Sequence, residues 1–303
     1  MLERNVSVII PTWHRHEEVV RALKSALNQT LPPLEVVVVN DGVDTEKRDI
    51  LSNVDDDRIQ YFEAPRKGLA SATRNYGIQH AKGDWVALLD DDDIWLPSKL
   101  ERQFLALERS GQNEAVISGV ERINLQEGGW NLRPRVSSVD AGAGAVEDML
   151  FVPGGGPHTS TLLAPKWAFA EFKFNEDLRL HEDWEWLLNV GRKLPIILTS
   201  DVVAERWMET GERLTAPGDF EYSWSWYRRN KGLMNNATRS RFICSILSAR
   251  AAHDRSISGL KRIFYEFLAV RSFNIKNLIR LLAPWFIPSS LRKRILGLFY
   301  RYD

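Results

Sequence analysis

Four consecutive carboxylates, Asp90-Asp91-Asp92-Asp93, are the feature of this sequence that most demands a chemical explanation. Side by side, such groups repel one another unless a cation or strong hydrogen-bond donors sit among them. Hard oxygen ligands select Mg²⁺ or Mn²⁺, ions that keep coordination positions open for phosphate oxygens. A divalent ion held there could stabilise charge building up on a departing diphosphate. Asp90 and Asp92 form a D-x-D pair, whose side chains point the same way in an extended segment. The plainer alternative is a solvated acidic turn that caps the helix after Pro97, and for an isolated D-x-D that plainer reading wins, because such triplets are common. Further polar groups stand in Pro11-Thr12-Trp13-His14-Arg15, Asn40-Asp41-Gly42, Arg74-Asn75-Tyr76-Gly77 and Glu182-Asp183.

The elements that must carry these groups follow from hydrophobic periodicity. Val6-Ser7-Val8-Ile9-Ile10 reads as a strand, followed by a helix with Val19, Val20, Leu23, Ala26 and Leu27 on one face. Glu35-Val36-Val37-Val38-Val39 is apolar almost throughout, as a parallel strand buried on both faces must be. Strands are predicted at 59–62 and 85–89, with helices over 69–81 and 97–109. Strand-helix-strand alternation builds a doubly wound, mainly parallel α/β sheet flanked by helices, and such sheets bind ligands at the carboxyl ends of their strands. The polar motifs fall at those ends. Strands at 115–119, 160–164, 196–198 and 201–204 and a helix at 184–192 are expected to complete the domain. Residues 126–158, rich in Gly, Ser and Pro, read as a long functional loop.

Bulk composition narrows the function classes. The formal net charge is zero, which gives no overall electrostatic case for nucleic acid. A single cysteine, Cys244, leaves no thiolate cluster for a metal, and no His/Cys group has zinc-site spacing. P-loop, Gly-x-Gly-x-x-Gly and Gly-x-Ser-x-Gly patterns are missing, against an NTPase, a dehydrogenase or a serine hydrolase. Neither a signal peptide nor an apolar run of spanning length is present, so the expected location is cytoplasmic. After Pro217 the chain becomes helical, aromatic and increasingly basic. Leu291, Ile295, Leu298 and Phe299 share a face of a basic helix that could lie peripherally on a membrane.

Together, Pro11-Thr12-x-x-Arg15, Asp41-Gly42, Ala72-x-Arg74-Asn75-x-Gly77, Leu89-Asp90-x-Asp92-Asp93-Ile94-Trp95 and Glu182-Asp183-Trp184 resemble the family-2 glycosyltransferases of GT-A fold, over residues 5–210. The resemblance implies a metal-dependent, inverting transfer of a hexosyl or N-acetylhexosaminyl group from a nucleotide-sugar, a UDP-sugar first of all, to a glycan or lipid-linked acceptor hydroxyl. It implies that Pro11, Thr12 and Arg15 border the nucleotide, that Asp41 hydrogen-bonds the base, and that Arg74 lies against base or phosphates. Asp90 and Asp91 would approach ribose and sugar, Asp92 would ligate Mn²⁺ or Mg²⁺, and Asp183 would be the general base. Glu182, Trp184 and His158 are candidates for the acceptor side. Two departures stand in nucleotide loops: Lys67 where asparagine is common, and Val43 where serine is usual. The implied organisation is a GT-A domain over 1–215, with a nucleotide half (1–108) and an acceptor half (109–215), then a helical, amphipathic, basic extension over 216–303.

Three alternatives carry different expectations. A nucleotidyltransferase of similar fold needs a basic, glycine-rich loop after the first strand, which Thr12-Trp13-His14-Arg15 does not supply. A processive synthase needs Gln-x-x-Arg-Trp, and Val203 stands where the glutamine should precede Arg206-Trp207. A non-catalytic nucleotide-sugar-binding module would keep the fold without turnover.

Overall fold

A computed structural model describes residues 3–125, 146–151, 156–208, 219–272 and 275–287 of the chain. The first unit runs β1 (Val6–Thr12), α1 (Glu17–Leu27), β2 (Glu35–Asp41), α2 (Thr45–Ser52), β3 (Ile59–Ala64), α3 (Ala70–His80), β4 (Trp85–Leu88), β5 (Asp93–Trp95), α4 (Lys99–Ser110) and β6 (Val116–Leu125). After α5 (Val146–Met149) come β7 (Leu163–Pro165), α6 (Lys166–Glu171), α7 (Glu182–Val190) and β8 (Ile196–Met208). The eight strands form one sheet in the order β3-β2-β1-β4-β7-β6-β8-β5. Pairs β2/β3, β1/β2, β1/β4 and β6/β8 are parallel, and β4/β7, β6/β7 and β5/β8 are antiparallel.

The parallel half follows the apolar runs. Every residue of β1 and β2 is buried, as expected where helices cover both faces. Helix α3 approaches β1 and β2 closely through Gly77. A Cβ there would lie 2.7 Å from Ile9 Cγ2 and 2.9 Å from Val39 Cγ2.

The mixed half differs from the periodicity in three places. The strand predicted at 160–164 is a 3-10 turn, Thr159–Thr161, followed by β7. Thr161 Oγ1 donates to the His158 carbonyl at 2.7 Å, a local bond that competes with extended backbone. The two strands expected at 196–198 and 201–204 are one strand, β8, but its pairing with β6 shifts register between Leu198 and Ala204, where β8 carries the extra residues opposite Ser118–Glu121. At Gly119 a Cβ would meet Val203 Cγ2 at 2.7 Å, so only glycine lets the strands close there. Finally, the end of the acidic run is itself a strand, β5, with Asp93 opposite Arg206 of β8.

A second compact unit holds residues 147–151, 156, 219–272 and 275–287. It comprises α8 (Phe220–Asn230), α9 (Asn236–Phe242), a π-helical turn (Ile243–Leu247), α10 (Ser248–His253), α11 (Ile257–Val270) and α12 (Ile275–Phe286). Glu266 of α11 accepts from Tyr227 Oη, Arg239 and Lys231 at 2.9–3.1 Å, which pins α8 and α9 to α11. Residues 126–145 and 152–155 of the expected functional loop, and the expected helix after Ser289, lie outside the described residues.

Candidate active site

The carboxyl ends of the parallel strands bring most of the motifs together. Pro11 and Thr12 finish β1 and are buried. Lys47 of α2, fully enclosed, donates to Thr12 Oγ1 (3.0 Å) and to Asn40 Oδ1 (2.7 Å). Burial lowers the Lys47 pKa, and Asp44, 3.7 Å away, works against that. The two strand ends are thereby tied to one cation that carries no obvious sequence signal.

Asp41 closes β2. Its two oxygens accept the backbone N–H groups of Lys67 (2.8 Å) and Gly68 (2.7 Å). Since a carboxylate offers about four lone-pair sites, capacity remains for a further donor. Gly42 and Gly68 adopt φ of 109° and 70°, which an L side chain rarely tolerates. The departure at Lys67 is explained here, because the contribution to Asp41 is a backbone group that any residue supplies. The Lys67 ammonium reaches Glu176 at 2.5 Å instead. Val43, in the place of serine, is exposed. Trp13 is also exposed, with the Arg66 guanidinium 4.6 Å from its ring centre.

Arg15 faces the acidic run, 2.7 Å from Asp91 Oδ1 and 2.8 Å from Asp92 Oδ2. Burial pushes Asp91 up to about 6 against the pull of Arg15. Burial and the neighbouring Asp90 raise Asp92 as well. Arg74, only 5% exposed, spans two motifs: Nη2 donates to Asp90 Oδ1 at 2.7 Å and Nη1 to Glu182 Oε1 at 3.0 Å. Burial opposes the charged form of Asp90, yet Arg74 prevails and holds that carboxyl below its ordinary value. Beside Arg74, Asn75 clamps the approach to α7, donating to the Phe174 carbonyl (2.8 Å) and Glu176 (3.0 Å) while accepting from Phe174 N–H.

Asp183 lies in the first turn of α7, where the helix dipole favours negative charge. Trp184 N–H donates to its Oδ1 at 2.8 Å. Burial, together with adjacent Glu182, nevertheless pushes Asp183 up to about 7. One face of Trp184 is stacked on His181, with ring centres 4.7 Å apart, and His181 has φ of 71°.

Among the described residues, one group brings three metal-type ligand atoms within 4.8 Å of one another: Asp90, Asp93 and His158. Asp93, given no role from sequence, is 2% exposed. Ser160 Oγ donates to its Oδ2 at 2.5 Å and accepts from Asp90 N–H at 3.1 Å. Burial, Asp90 and Asp92 raise the Asp93 pKa well above its usual range. Asp93 Oδ1 and His158 Nδ1 are buried and lack hydrogen-bond partners. His158 Nδ1 does come within 3.0 Å of Glu121 Oε2, without hydrogen-bond alignment. Orphaned acceptors among crowded carboxylates suit a cation, and two carboxylates with an imidazole lie within the donor range of divalent metals such as Mn²⁺. Asp92, the ligand expected from the motif, is outside this group and engaged by Arg15. Ser160 and Glu121 come from a turn and a strand far along the chain, with no motif to mark them.

This ordered geometry can be set beside known proteins. Residues 7–162 match the sequence profile of glycosyl transferase family 2. The chain belongs to that family. An uncharacterized glycosyltransferase of Rickettsia bellii (strain RML369-C) is 30% identical over 242 residues, covering 79% of this chain and 34% of the relative. The GalNAc(5)-diNAcBac-PP-undecaprenol beta-1,3-glucosyltransferase of Campylobacter jejuni is 37% identical over 98 residues, covering 31% of this chain and 32% of that one. The chain thus spans about a third of the length of these relatives. S. aureus TarS 1–349 in complex with UDP-GlcNAc has a similar fold, with TM-score 0.65 and 15% identity over 99% of this chain and 94% of that structure. The architecture is therefore the GT-A glycosyltransferase fold.

Proposed function

We propose that the chain transfers a sugar from a UDP-sugar to an acceptor hydroxyl with inversion, in the biosynthesis of a surface polysaccharide or glycolipid. The observation that carries this is the Arg74 bridge, which joins Asp90 of the donor-side acidic run to Glu182, the neighbour of Asp183. One buried guanidinium thereby joins the two acidic motifs of a displacement reaction in one site.

Asp183 is assigned as general base. Its raised pKa makes it a better proton acceptor than an ordinary carboxylate while leaving much of it ionised near neutral pH. It would take the acceptor proton as the oxygen attacks the anomeric carbon, the glycosidic bond to UDP breaking on the opposite side. Arg74 holds Glu182 and Asp90 in fixed positions, and Trp184 N–H fixes the Asp183 carboxylate. Thr12, Asp41 and Arg15 are assigned to the nucleotide, Asp41 retaining acceptor capacity beyond its two loop contacts. Asp90, Asp93 and His158 would hold a divalent cation, while Asp92 is paired with Arg15. Such an ion, when bound, supplies positive charge for the leaving diphosphate. TarS has been captured with UDP-GlcNAc, and the C. jejuni relative is named for an undecaprenol-linked glycan. The first supports a UDP-sugar donor and the second a lipid-linked acceptor.

Calorimetric titration with UDP, with Mn²⁺ and with chelator, is the test. UDP should bind in a metal-dependent way, Asp93→Asn should remove that dependence, and Asp183→Asn should keep UDP binding while transfer falls at least about a hundredfold. Transfer unchanged in Asp183→Asn would remove the base assignment. Dependence lost in Asp92→Asn but kept in Asp93→Asn would return the metal to Asp92.

A further inference from the structure

Of the twelve large apolar side chains exposed among the described residues, eight fall on the two consecutive helices α11 and α12. Their spacing is the same in both. On α11, Ile257, Phe264 and Leu268 recur at i, i+7 and i+11, with Lys261 at i+4. On α12, Ile275, Ile279, Leu282 and Phe286 occupy i, i+4, i+7 and i+11. Each helix already buries its opposite face, through Ile263 and Phe267 on α11 and through Asn277 and Leu281 on α12. A helix apolar on two faces needs two apolar partners. The first partner is the rest of this unit; the second face, where Phe286 is 79% exposed, meets solvent.

Charge identifies the second partner. Over residues 257–287, which carry both helices, there are five Lys and Arg but one acidic residue, in a chain whose net charge is zero. That one, Glu266, is engaged by Lys231 and Arg239. Lys261, Arg271 and Lys276 are exposed alongside the apolar stripes. A second copy of the chain would set this cationic face against itself, juxtaposing like charges. An anionic lipid surface satisfies both features, taking the apolar side chains between its headgroups and the cations at its phosphates. No helix among the described residues is long and apolar enough to cross a bilayer, so the contact is interfacial.

We propose that the solvent-facing stripes of α11 and α12 form a docking surface for anionic membrane lipid. The inference stands independently of the reaction, although it would hold the enzyme where a lipid-linked acceptor resides.

Cosedimentation of the full chain with vesicles tests it. Phosphatidylcholine vesicles containing phosphatidylglycerol should bind the protein at least about tenfold more tightly than phosphatidylcholine alone, with the difference shrinking in high salt. Two double variants, Phe264→Ser/Leu268→Ser and Ile279→Ser/Phe286→Ser, should each weaken binding by about tenfold or more. Because all four residues are exposed, circular dichroism and thermal unfolding should match the parent. Failure of the parent to bind anionic vesicles, or undiminished binding by both folded double variants, would overturn the proposal. A parent that is dimeric and does not bind vesicles, beside monomeric double variants, would assign the face to a second copy instead. Since neither donor nor turnover enters the assay, its outcome is separate from that of the UDP titration.

Discussion

Replacing Arg74 with methionine keeps an unbranched side chain of similar reach and removes only the charge and its donors. In the folded protein Arg74 is almost fully enclosed and serves two carboxylates, Asp90 at 2.7 Å and Glu182 at 3.0 Å, with Asp183 next in sequence. Removing one member of a buried ion pair costs about 3–5 kcal/mol, because the remaining charge is left in a poorly solvating environment. Here two carboxylates lose their partner, so the upper part of that range is expected at neutral pH. The pH dependence follows from Asp90. Despite burial, Arg74 holds its pKa below the ordinary value. The stability from that pairing is therefore present above the unfolded-state pKa of about 3.9 and is lost as pH falls through the lower folded value. Arg74→Met has none of this contribution, and burial then favours a protonated Asp90. The difference between the two proteins should be full at about pH 7 and narrow as pH falls toward about 4. Urea unfolding followed by tryptophan fluorescence at several pH values measures it. Arg74→Lys, with charge but no fork to span both acids, should fall between the two. A neutral-pH cost below about 1 kcal/mol, in the range of an exposed pair, would refute the reasoning, as would a cost that does not change with pH.

Three other expectations follow from the same geometry. Ser160→Ala removes the hydroxyl between Asp93 and the Asp90 backbone, and should weaken Mn²⁺-dependent UDP binding about tenfold or more with little change in fold; calorimetry reads it, and unchanged affinity would deny Ser160 that role. Transfer should rise with pH through about 7 as Asp183 ionises and then level off, so a flat profile across that region would contradict its assignment as base. Lys99 is fully buried, its ammonium on Gln103 Oε1 at 2.7 Å and 3.9 Å from the Trp95 ring centre, and burial holds its pKa well below the ordinary value. The unfolded chain then binds the proton more readily, so stability rises with pH up to about 10.4, and Lys99→Met should reduce that slope in urea unfolding at a series of pH values.

The sequence by itself determined the parallel half of the sheet. Runs such as Glu35 to Val39, apolar without alternation, fit only strands covered on both sides, and β1 to β4 fall within two residues of their predicted positions at every end. The order of Thr12, Asp41, Arg74, Asp90 and Glu182-Asp183 was equally legible, because each motif is contiguous and its chemistry is local. Sequence did not reveal where hydroxyls and short strands would break the pattern. Thr161 turns the chain through its own hydrogen bond, and β5 exists only because β8 lies alongside it. Tertiary structure also decided which groups meet. Four adjacent aspartates look equivalent in sequence, yet Asp91 and Asp92 turn to Arg15, while Asp90 and Asp93 converge with His158 around Ser160. That sorting depends on backbone direction and on partners many residues away. A one-dimensional pattern records which side chains are available, but the energy of a buried charge is fixed by what surrounds it in three dimensions.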